Sequence, residues 1–142
     1  MSSSGPQVAL STTGNSTTIN DLLNWGARIG ASAYFDGVKS SQLENIIATL
    51  DAIQGREALL LVATFAQRQS KRLGSGRNLA RIITEAMLDL YEKGLGKDEA
   101  RIVLGTARWV FDAFQGARKP RLEDLSKLTL KELLSYLVQS SR

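Results

Sequence analysis

Apolar residues recur every three or four positions along nearly the whole chain from residue 18 onward. Such spacing places them on one face of an α-helix, whereas a strand needs strict alternation of apolar and polar residues. No alternating run is long enough to form a strand. The sequence therefore predicts an all-α protein, a compact antiparallel bundle of five or six helices joined by short loops. The clearest stripe consists of Leu43, Ile46, Ile47, Leu50 and Ile53.

Capping residues and glycines predict where the helices begin and end. Thr18 is a candidate N-cap for the first helix, and Ser-Gln-Leu-Glu at 41–44 and Thr-Leu-Lys-Glu at 129–132 match the capping-box pattern. Glycine favours the turn after a helix because it adopts left-handed backbone conformations at little cost. The helices are therefore predicted to end before Gly37, Gly55, Gly74, Gly94 and Gly116, and the third, fourth and fifth to span 56–73, 77–93 and 97–115.

The first helix carries Gly26 and Gly30 four positions apart, with Arg28 between them. Residues four apart share one face of a helix. Glycine has no side chain to hold a neighbouring helix away. We interpret the pair as a close packing contact between two helices of the bundle.

The length and composition predict one folded domain and one tail. The chain has 142 residues, enough for a single domain with a real core. Residues 1–17 are mostly Ser, Thr, Gly and Asn, and are predicted to be a disordered tail. Residues 18–142 are predicted to form the helical domain. No signal-peptide pattern and no apolar run of about twenty residues occurs, so we expect a cytoplasmic protein with no membrane span.

Missing residue types restrict the chemistry. The chain has no cysteine and no histidine, which excludes disulfides, thiolate metal sites and imidazole catalysis. Glu85, Asp89 and Glu92 share one face of the fourth helix and could hold a hard cation. However, no second acidic cluster has matching spacing, and Arg81 and Lys93 are placed to pair with the first two. We therefore predict a protein that is not an enzyme and binds no cofactor or metal.

The basic residues are distributed unevenly. Eighteen Lys and Arg against fourteen Asp and Glu give a net charge of +4. No acidic residue lies between Glu57 and Glu85, and the loop at 74–76 folds the end of the third helix against the start of the fourth. Five cations of this window form what we call the basic corner: Arg68, Lys71, Arg72, Arg77 and Arg81. We expect the basic corner to contact the phosphates of a nucleic acid.

An ordinary solvated surface is the alternative for these cations. Cations at a helix C-terminus complement the helix dipole, which accounts for Arg68, Lys71 and Arg72 without a ligand. It does not account for Arg77, which begins the fourth helix, where a cation is unfavourable. Arg101 and Arg108 on the fifth helix are predicted as further nucleic-acid contacts.

Two apolar residues are predicted to contact a partner. Trp109 lies off the apolar stripe of the fifth helix and next to Arg108. Leu95 lies in a loop and is also expected to lie off the inward face. An aromatic side chain outside the core is a common interface anchor. The other aromatic residues mostly follow core spacing, so we expect backbone binding rather than base-specific readout of a single strand.

Three short segments resemble a known family. Gly-Val-Lys-Ser-Ser-Gln-Leu at 37–43 resembles a helix-opening stretch of the small helical subunits of CRISPR type III (Csm-type) effector complexes. Ala-Thr-Phe-Ala-Gln-Arg at 63–68 and Trp-Val-Phe-Asp-Ala-Phe at 109–114 resemble later parts of the same family. The resemblance covers residues 18–116, so 117–142 look like an extension. Glu44 departs from the pattern, because the family often has a basic residue there.

The resemblance implies a non-catalytic small subunit that stabilises a guide–target RNA duplex through phosphate contacts. Its implied partners are guide RNA, target RNA, other effector subunits and further copies of itself. Two alternatives remain open from the residues alone. One is a helical protein–protein adaptor whose basic face is merely solvated, and the other is a small metal-dependent enzyme that uses the acidic face of the fourth helix.

Overall fold

The computed structural model describes residues 17–140. Over this range the chain forms six α-helices and no strand, which confirms the all-α bundle. The predicted tail lies outside the described residues except for Thr17, which is buried. No helix within the described range has the length and apolar character needed to cross a bilayer. The helices are α1 (Ile19–Phe35), α2 (Ser40–Ala48), α3 (Ala58–Leu73), α4 (Arg77–Glu92), α5 (Lys97–Ala113) and α6 (Leu130–Ser140).

The connections differ in length. Those after α1, α3 and α4 are short, as predicted. The segments 49–57 and 114–129 are longer, and each contains a 3-10 turn. Leu50 and Leu125 are buried in these two segments, so each connection is anchored to the core by an apolar side chain.

Two helix starts follow the predicted capping pattern. The hydroxyl of Thr18 accepts a hydrogen bond from the Asp21 backbone N–H at 3.2 Å, and the Asp21 carboxylate accepts one from the Thr18 N–H at 3.1 Å. Thr129 and Glu132 form the same reciprocal pair at the start of α6, with both distances 3.1 Å. These bonds satisfy N–H groups that have no partner inside the helix.

The capping box predicted at 41–44 is wrong. The N-cap of α2 is Lys39, whose backbone N–H donates to the side-chain oxygen of Gln42 at 2.7 Å. The Glu44 carboxylate instead binds Arg108 of α5. The side chain of Glu44 therefore forms an ion pair with another helix instead of the capping hydrogen bond that the local pattern predicted.

The apolar stripes form most of the core. Ile53 is an exception and is exposed, because α2 ends at Ala48 and Ile53 does not continue its helical face. Six apolar residues of α4 at helical spacing are buried: Leu79, Ile82, Ile83, Ala86, Met87 and Leu90. The third helix begins at Ala58 rather than at residue 56, because Arg56 lies in the preceding turn and serves another contact. Its guanidinium donates to the backbone carbonyls of Tyr91 and Leu95 and lies 4.0 Å from the centre of the Tyr91 ring.

The two glycines of α1 form a close contact with another helix. A Cβ at Gly26 would lie 2.6 Å from the Cβ of Thr106, and one at Gly30 would lie 2.5 Å from the carbonyl oxygen of Ala107. These distances are far shorter than the about 3.5–4.0 Å at which carbon atoms pack. The predicted packing role of the pair is therefore confirmed, and its partner is α5.

Helices α1 and α5 run parallel within the bundle. Position 26 of α1 meets position 106 of α5 and position 30 meets position 107 and position 110, so the two helices run in the same direction. Helix α1 runs antiparallel to α4, because Trp25 contacts Asp89 whereas Asp36 contacts Leu79. The short α4–α5 loop reverses the chain again, which makes α1 and α5 parallel.

Candidate nucleic-acid interface

The loop at 74–76 brings the basic corner together. Gly74 ends α3 with a φ of 68°, and Gly76 precedes α4 with a φ of 80°. A residue with a Cβ rarely adopts these left-handed conformations. The loop therefore reverses the chain within three residues and places the basic end of α3 beside the basic start of α4.

An open groove lies between these two helix ends, and we call it the α3–α4 groove. It has a volume of about 490 Å³. Lys71 lines it from α3, and Arg77 and Arg81 line it from α4. Gln67 and Ser70 add neutral polar groups to the same lining. The groove thus combines three cations with hydrogen-bonding groups, which suits phosphate oxygens.

The walls of the α3–α4 groove are held together by Gln67. Its side-chain amide donates to the backbone carbonyl of Ala80 at 3.3 Å and to the hydroxyl of Thr84 at 2.9 Å. Both acceptors belong to α4. These bonds hold α3 against α4 at the level of the cations, so the groove is formed before any ligand arrives.

The structure divides the basic corner into two sets. Arg68 and Arg72 are exposed and lie outside the groove lining. They stand four residues apart, so they share one side of α3. We call them the α3 ridge pair. The sequence alone placed all five cations on one surface, but the direction in which each side chain leaves its helix separates them.

Most of the basic corner carries uncompensated charge. Within residues 17–140, neither the ridge pair nor Lys71 and Arg77 form an ion pair. Arg81 lies 3.6 Å from Glu85, and both side chains are about half exposed. An exposed pair of this kind contributes little and exchanges readily with other ions. Phosphates can therefore reach these cations without displacing a buried partner.

The helix start that carries Arg77 is capped by a distant residue. The Asp36 carboxylate accepts from the Leu79 backbone N–H at 2.9 Å and from the Asn78 side chain at 2.8 Å. Asp36 precedes Leu79 by 43 positions. It supplies the negative charge that a helix N-terminus favours. Arg77 is therefore tolerated at the start of α4 without a ligand. Its position at a helix N-terminus is no longer an argument for a bound anion.

Asp36→Ala is expected to lower the free energy of unfolding by about 0.5–2 kcal/mol, as for the loss of an N-cap side chain. Urea denaturation followed by circular dichroism measures the change. Glu92→Ala is the matched control, because Glu92 is an exposed carboxylate at the other end of α4. Equal stability of the Asp36 variant and the wild type would show that the cap contributes nothing.

Arg101 does not belong to the basic corner. Its guanidinium donates two hydrogen bonds to the Asp51 carboxylate, at 3.1 and 3.3 Å, and Lys97 lies 3.7 Å from the same group. The hydrogen bond from Arg101 lowers the pKa of Asp51 and raises that of Arg101. This predicted contact residue already has a bidentate anionic partner.

Arg108 is compensated in the same way. It binds Glu44 of α2 and also donates to Asp112 at 3.2 Å on its own helix. The hydrogen bond to Glu44 is the main cause that raises the pKa of Arg108. A phosphate would have to displace two carboxylates to reach this side chain, so Arg108 is a weaker candidate than the cations of the α3–α4 groove.

The two predicted interface residues have opposite environments. Trp109 is 78% exposed on the outer side of α5, whereas Leu95 is only 7% exposed. The expectation that Leu95 lies off the inward face is wrong. After Gly94 turns the chain with a φ of 79°, the Leu95 N–H donates to the Leu90 carbonyl at 3.0 Å. This helix-ending motif typically packs its following apolar residue against the helix.

The acidic face of α4 is engaged in pairing. Asp89 lies 3.1 Å from Lys93 and accepts a hydrogen bond from the Trp25 indole at 3.2 Å. Glu85 lies close to Arg81. Among residues 17–140, no three carboxylates converge on a point where a metal ion could bind. These contacts match the surface pairing expected from the spacing.

The fold and this surface define a class of protein: an all-α bundle with an open basic groove between two helix ends. Comparison with family models, with curated proteins and with solved structures finds no match to this chain. The resemblance to the CRISPR small subunits therefore stays a prediction. Glu44, the departure from that pattern, pairs with Arg108, so the start of α2 offers no cation at this position.

Proposed function

We propose that this protein is a non-catalytic RNA-binding subunit of a CRISPR type III ribonucleoprotein, and that the α3–α4 groove contacts the phosphate backbone of a guide–target duplex. One observation carries the binding part of the proposal. Lys71, Arg77 and Arg81 converge on an open groove in a stretch of sequence without a carboxylate. The assignment to a CRISPR complex rests on the resemblance of 37–43, 63–68 and 109–114 to that family.

The chemistry of the groove suits phosphates better than bases. Guanidinium and ammonium groups donate charge-assisted hydrogen bonds to phosphate oxygens. No aromatic side chain lines the groove, so it lacks a surface on which a base could stack. Binding through phosphates carries no sequence information. A subunit of this kind would hold any duplex that the guide selects.

A catalytic role is not part of the proposal. The sequence has no histidine and no cysteine, so the groove has neither an imidazole base nor a thiolate nucleophile. Cleavage of the target would then belong to other subunits of the complex.

Salt dependence tests the proposal on the unmodified protein. Each phosphate contact releases counterions, so log K is expected to fall with log salt concentration by about 0.7–0.9 per contact. Three groove cations give a slope between about −2 and −3. Fluorescence anisotropy with a labelled RNA duplex measures it. Binding that does not change with salt would leave only the adaptor alternative.

We also propose that the outer side of α5 binds neighbouring subunits of the same complex, including further copies of the chain. Trp109 is largely exposed there, and Ile102 is exposed two turns earlier on the same side. Tryptophan is enriched among residues that dominate binding energy at interfaces. This observation favours the adaptor function as a second activity of the same bundle.

Trp109→Ala is expected to leave the fold intact, because the side chain is largely exposed. Association with the neighbouring subunits should weaken by more than about 2 kcal/mol, or about 30-fold. Co-purification and analytical ultracentrifugation measure this loss. Ile53→Ala is the control, since Ile53 is an exposed apolar residue outside α5. Normal co-purification of the Trp109 variant would show that this side chain is idle surface.

A further inference from the structure

A second cavity is formed by the 114–129 connection and α6, and we call it the α5–α6 pocket. Its volume is about 640 Å³, larger than that of the α3–α4 groove. Pockets for small molecules typically span about 300–1,000 Å³. It lies largely in the extension beyond residue 116, which the CRISPR resemblance does not cover.

The apolar part of the α5–α6 pocket is built from aromatic rings. Phe114 is stacked on Tyr34 with ring centres 5.1 Å apart, and its other neighbour is Tyr136 at 6.1 Å. Phe114, Leu133 and Tyr136 line the cavity. Phe114 and Leu133 are themselves fully buried. The half-buried ring of Tyr136 is therefore the surface against which a flat apolar group could pack.

The chain segment that borders the α5–α6 pocket is held in place by side chains. The Tyr34 hydroxyl donates to the Ala117 carbonyl at 2.6 Å, and the Tyr136 hydroxyl donates to the Arg118 carbonyl at 2.6 Å. The Lys119 ammonium donates to the Phe35 carbonyl at 3.2 Å. These three bonds attach the segment to α1 and α6. A ligand would therefore meet a preformed wall rather than have to order a loop.

The charged part of the pocket has an excess of cations. Arg118, Lys119, Arg121 and Lys127 line it, against Glu123 and Glu132. Both carboxylates have partners of their own: Glu123 lies 3.7 Å from Arg121, and Glu132 accepts from the Thr129 N–H at the start of α6.

Two of these cations are left for a ligand. Within residues 17–140, neither Arg118 nor Lys127 forms an ion pair through its side chain. Both cations line the same cavity as the half-buried ring of Tyr136. A ligand with an anionic group attached to a flat ring system would bind the two cations through the anion and the apolar side chains through the ring.

We propose that the α5–α6 pocket binds a mononucleotide, with its phosphate held by Arg118 and Lys127 and its base lying against the apolar floor near Tyr136. This site is separate from the α3–α4 groove and does not depend on the proposed RNA-binding function. The residues beyond 116 would then have a binding function of their own, distinct from that of the rest of the bundle.

Isothermal titration calorimetry of the full chain with adenosine 5′-monophosphate tests the proposal. We expect one bound nucleotide per chain. Inorganic phosphate and adenosine should both bind more weakly, because the first has no base and the second has no phosphate. Replacing Arg118 and Lys127 together by glutamine should weaken nucleotide binding by about tenfold or more. Lys131→Gln, an exposed cation of α6 outside the pocket, should leave it unchanged.

Three results would overturn the mononucleotide site. The first is no detectable binding of the nucleotide, and the second is equal affinity for inorganic phosphate alone. The third is a nucleotide affinity that is unchanged in the Arg118 and Lys127 double variant but lost in the Lys71 and Arg77 double variant. The nucleotide would then occupy the α3–α4 groove. RNA-duplex binding measured on the same variants keeps this outcome distinct from a failure of the proposed function.

Discussion

An RNA duplex is expected to bind about 10- to 100-fold more weakly when Lys71 and Arg77 are both replaced by glutamine. Both side chains line the α3–α4 groove, and within residues 17–140 neither has an anionic partner. Glutamine keeps a long polar side chain but removes the positive charge. Fluorescence anisotropy at a fixed salt concentration measures the loss. The slope of log K against log salt should become less steep by about 1.4–1.8, which is about 0.7–0.9 for each phosphate contact removed.

Arg101→Gln combined with Arg108→Gln is the matched control, because it removes the same amount of charge from another surface. These arginines already bind Asp51 and Glu44, so we expect less than about a threefold change. Two unrelated duplex sequences should be affected alike, since phosphates carry no sequence information. Equal losses in the two double variants would show that only net charge matters and would contradict a binding groove.

Gly30→Ala is expected to lower the free energy of unfolding by about 1–3 kcal/mol or more. The new Cβ would lie 2.5 Å from the carbonyl oxygen of Ala107 and 2.7 Å from the side chain of Val110. Helices α1 and α5 would have to move apart and lose contacts along their length. The better helix propensity of alanine, about 0.5–1 kcal/mol, offsets only part of this cost. Urea denaturation followed by circular dichroism measures the change.

Gly105→Ala is the control for this experiment. Gly105 also lies inside a helix, but apart from its chain neighbours and the backbone of its own helix no described atom is within 4 Å of the position that its Cβ would take. The substitution should therefore stabilise the protein by about 0.5–1 kcal/mol through helix propensity alone. A Gly30 variant as stable as the Gly105 variant would contradict the close contact between α1 and α5.

Local patterns predicted the helices well because the forces involved act between residues close in sequence. The stripe of α4 from Leu79 to Leu90 is buried as its spacing requires, and Thr18 and Thr129 cap the helices that they precede. The left-handed glycines at 74 and 76 lie where the chain reverses. A helix face, a cap and a turn each involve residues only a few positions apart.

The same local reasoning failed where another helix competes for a side chain. Glu44 fits a capping box with the preceding serine, but it binds Arg108, which is 64 positions away. The sequence places Leu95 in a loop, but the turn at Gly94 packs its side chain against α4. The sequence shows which residues could make a contact, but not which of several possible partners lies closest.

The spacing of apolar residues, glycines and cations is enough to predict a helical bundle, a cluster of cations around the α3–α4 loop, and a Trp109 that lies outside the core. Which of the cations are free to bind depends on how the helices pack. Packing brought Asp51 to Arg101, Glu44 to Arg108 and Asp36 to the start of α4, across separations of 50, 64 and 43 residues. Electrostatic interactions depend on distance in space, so the charge of a surface is known only once the helices have been placed.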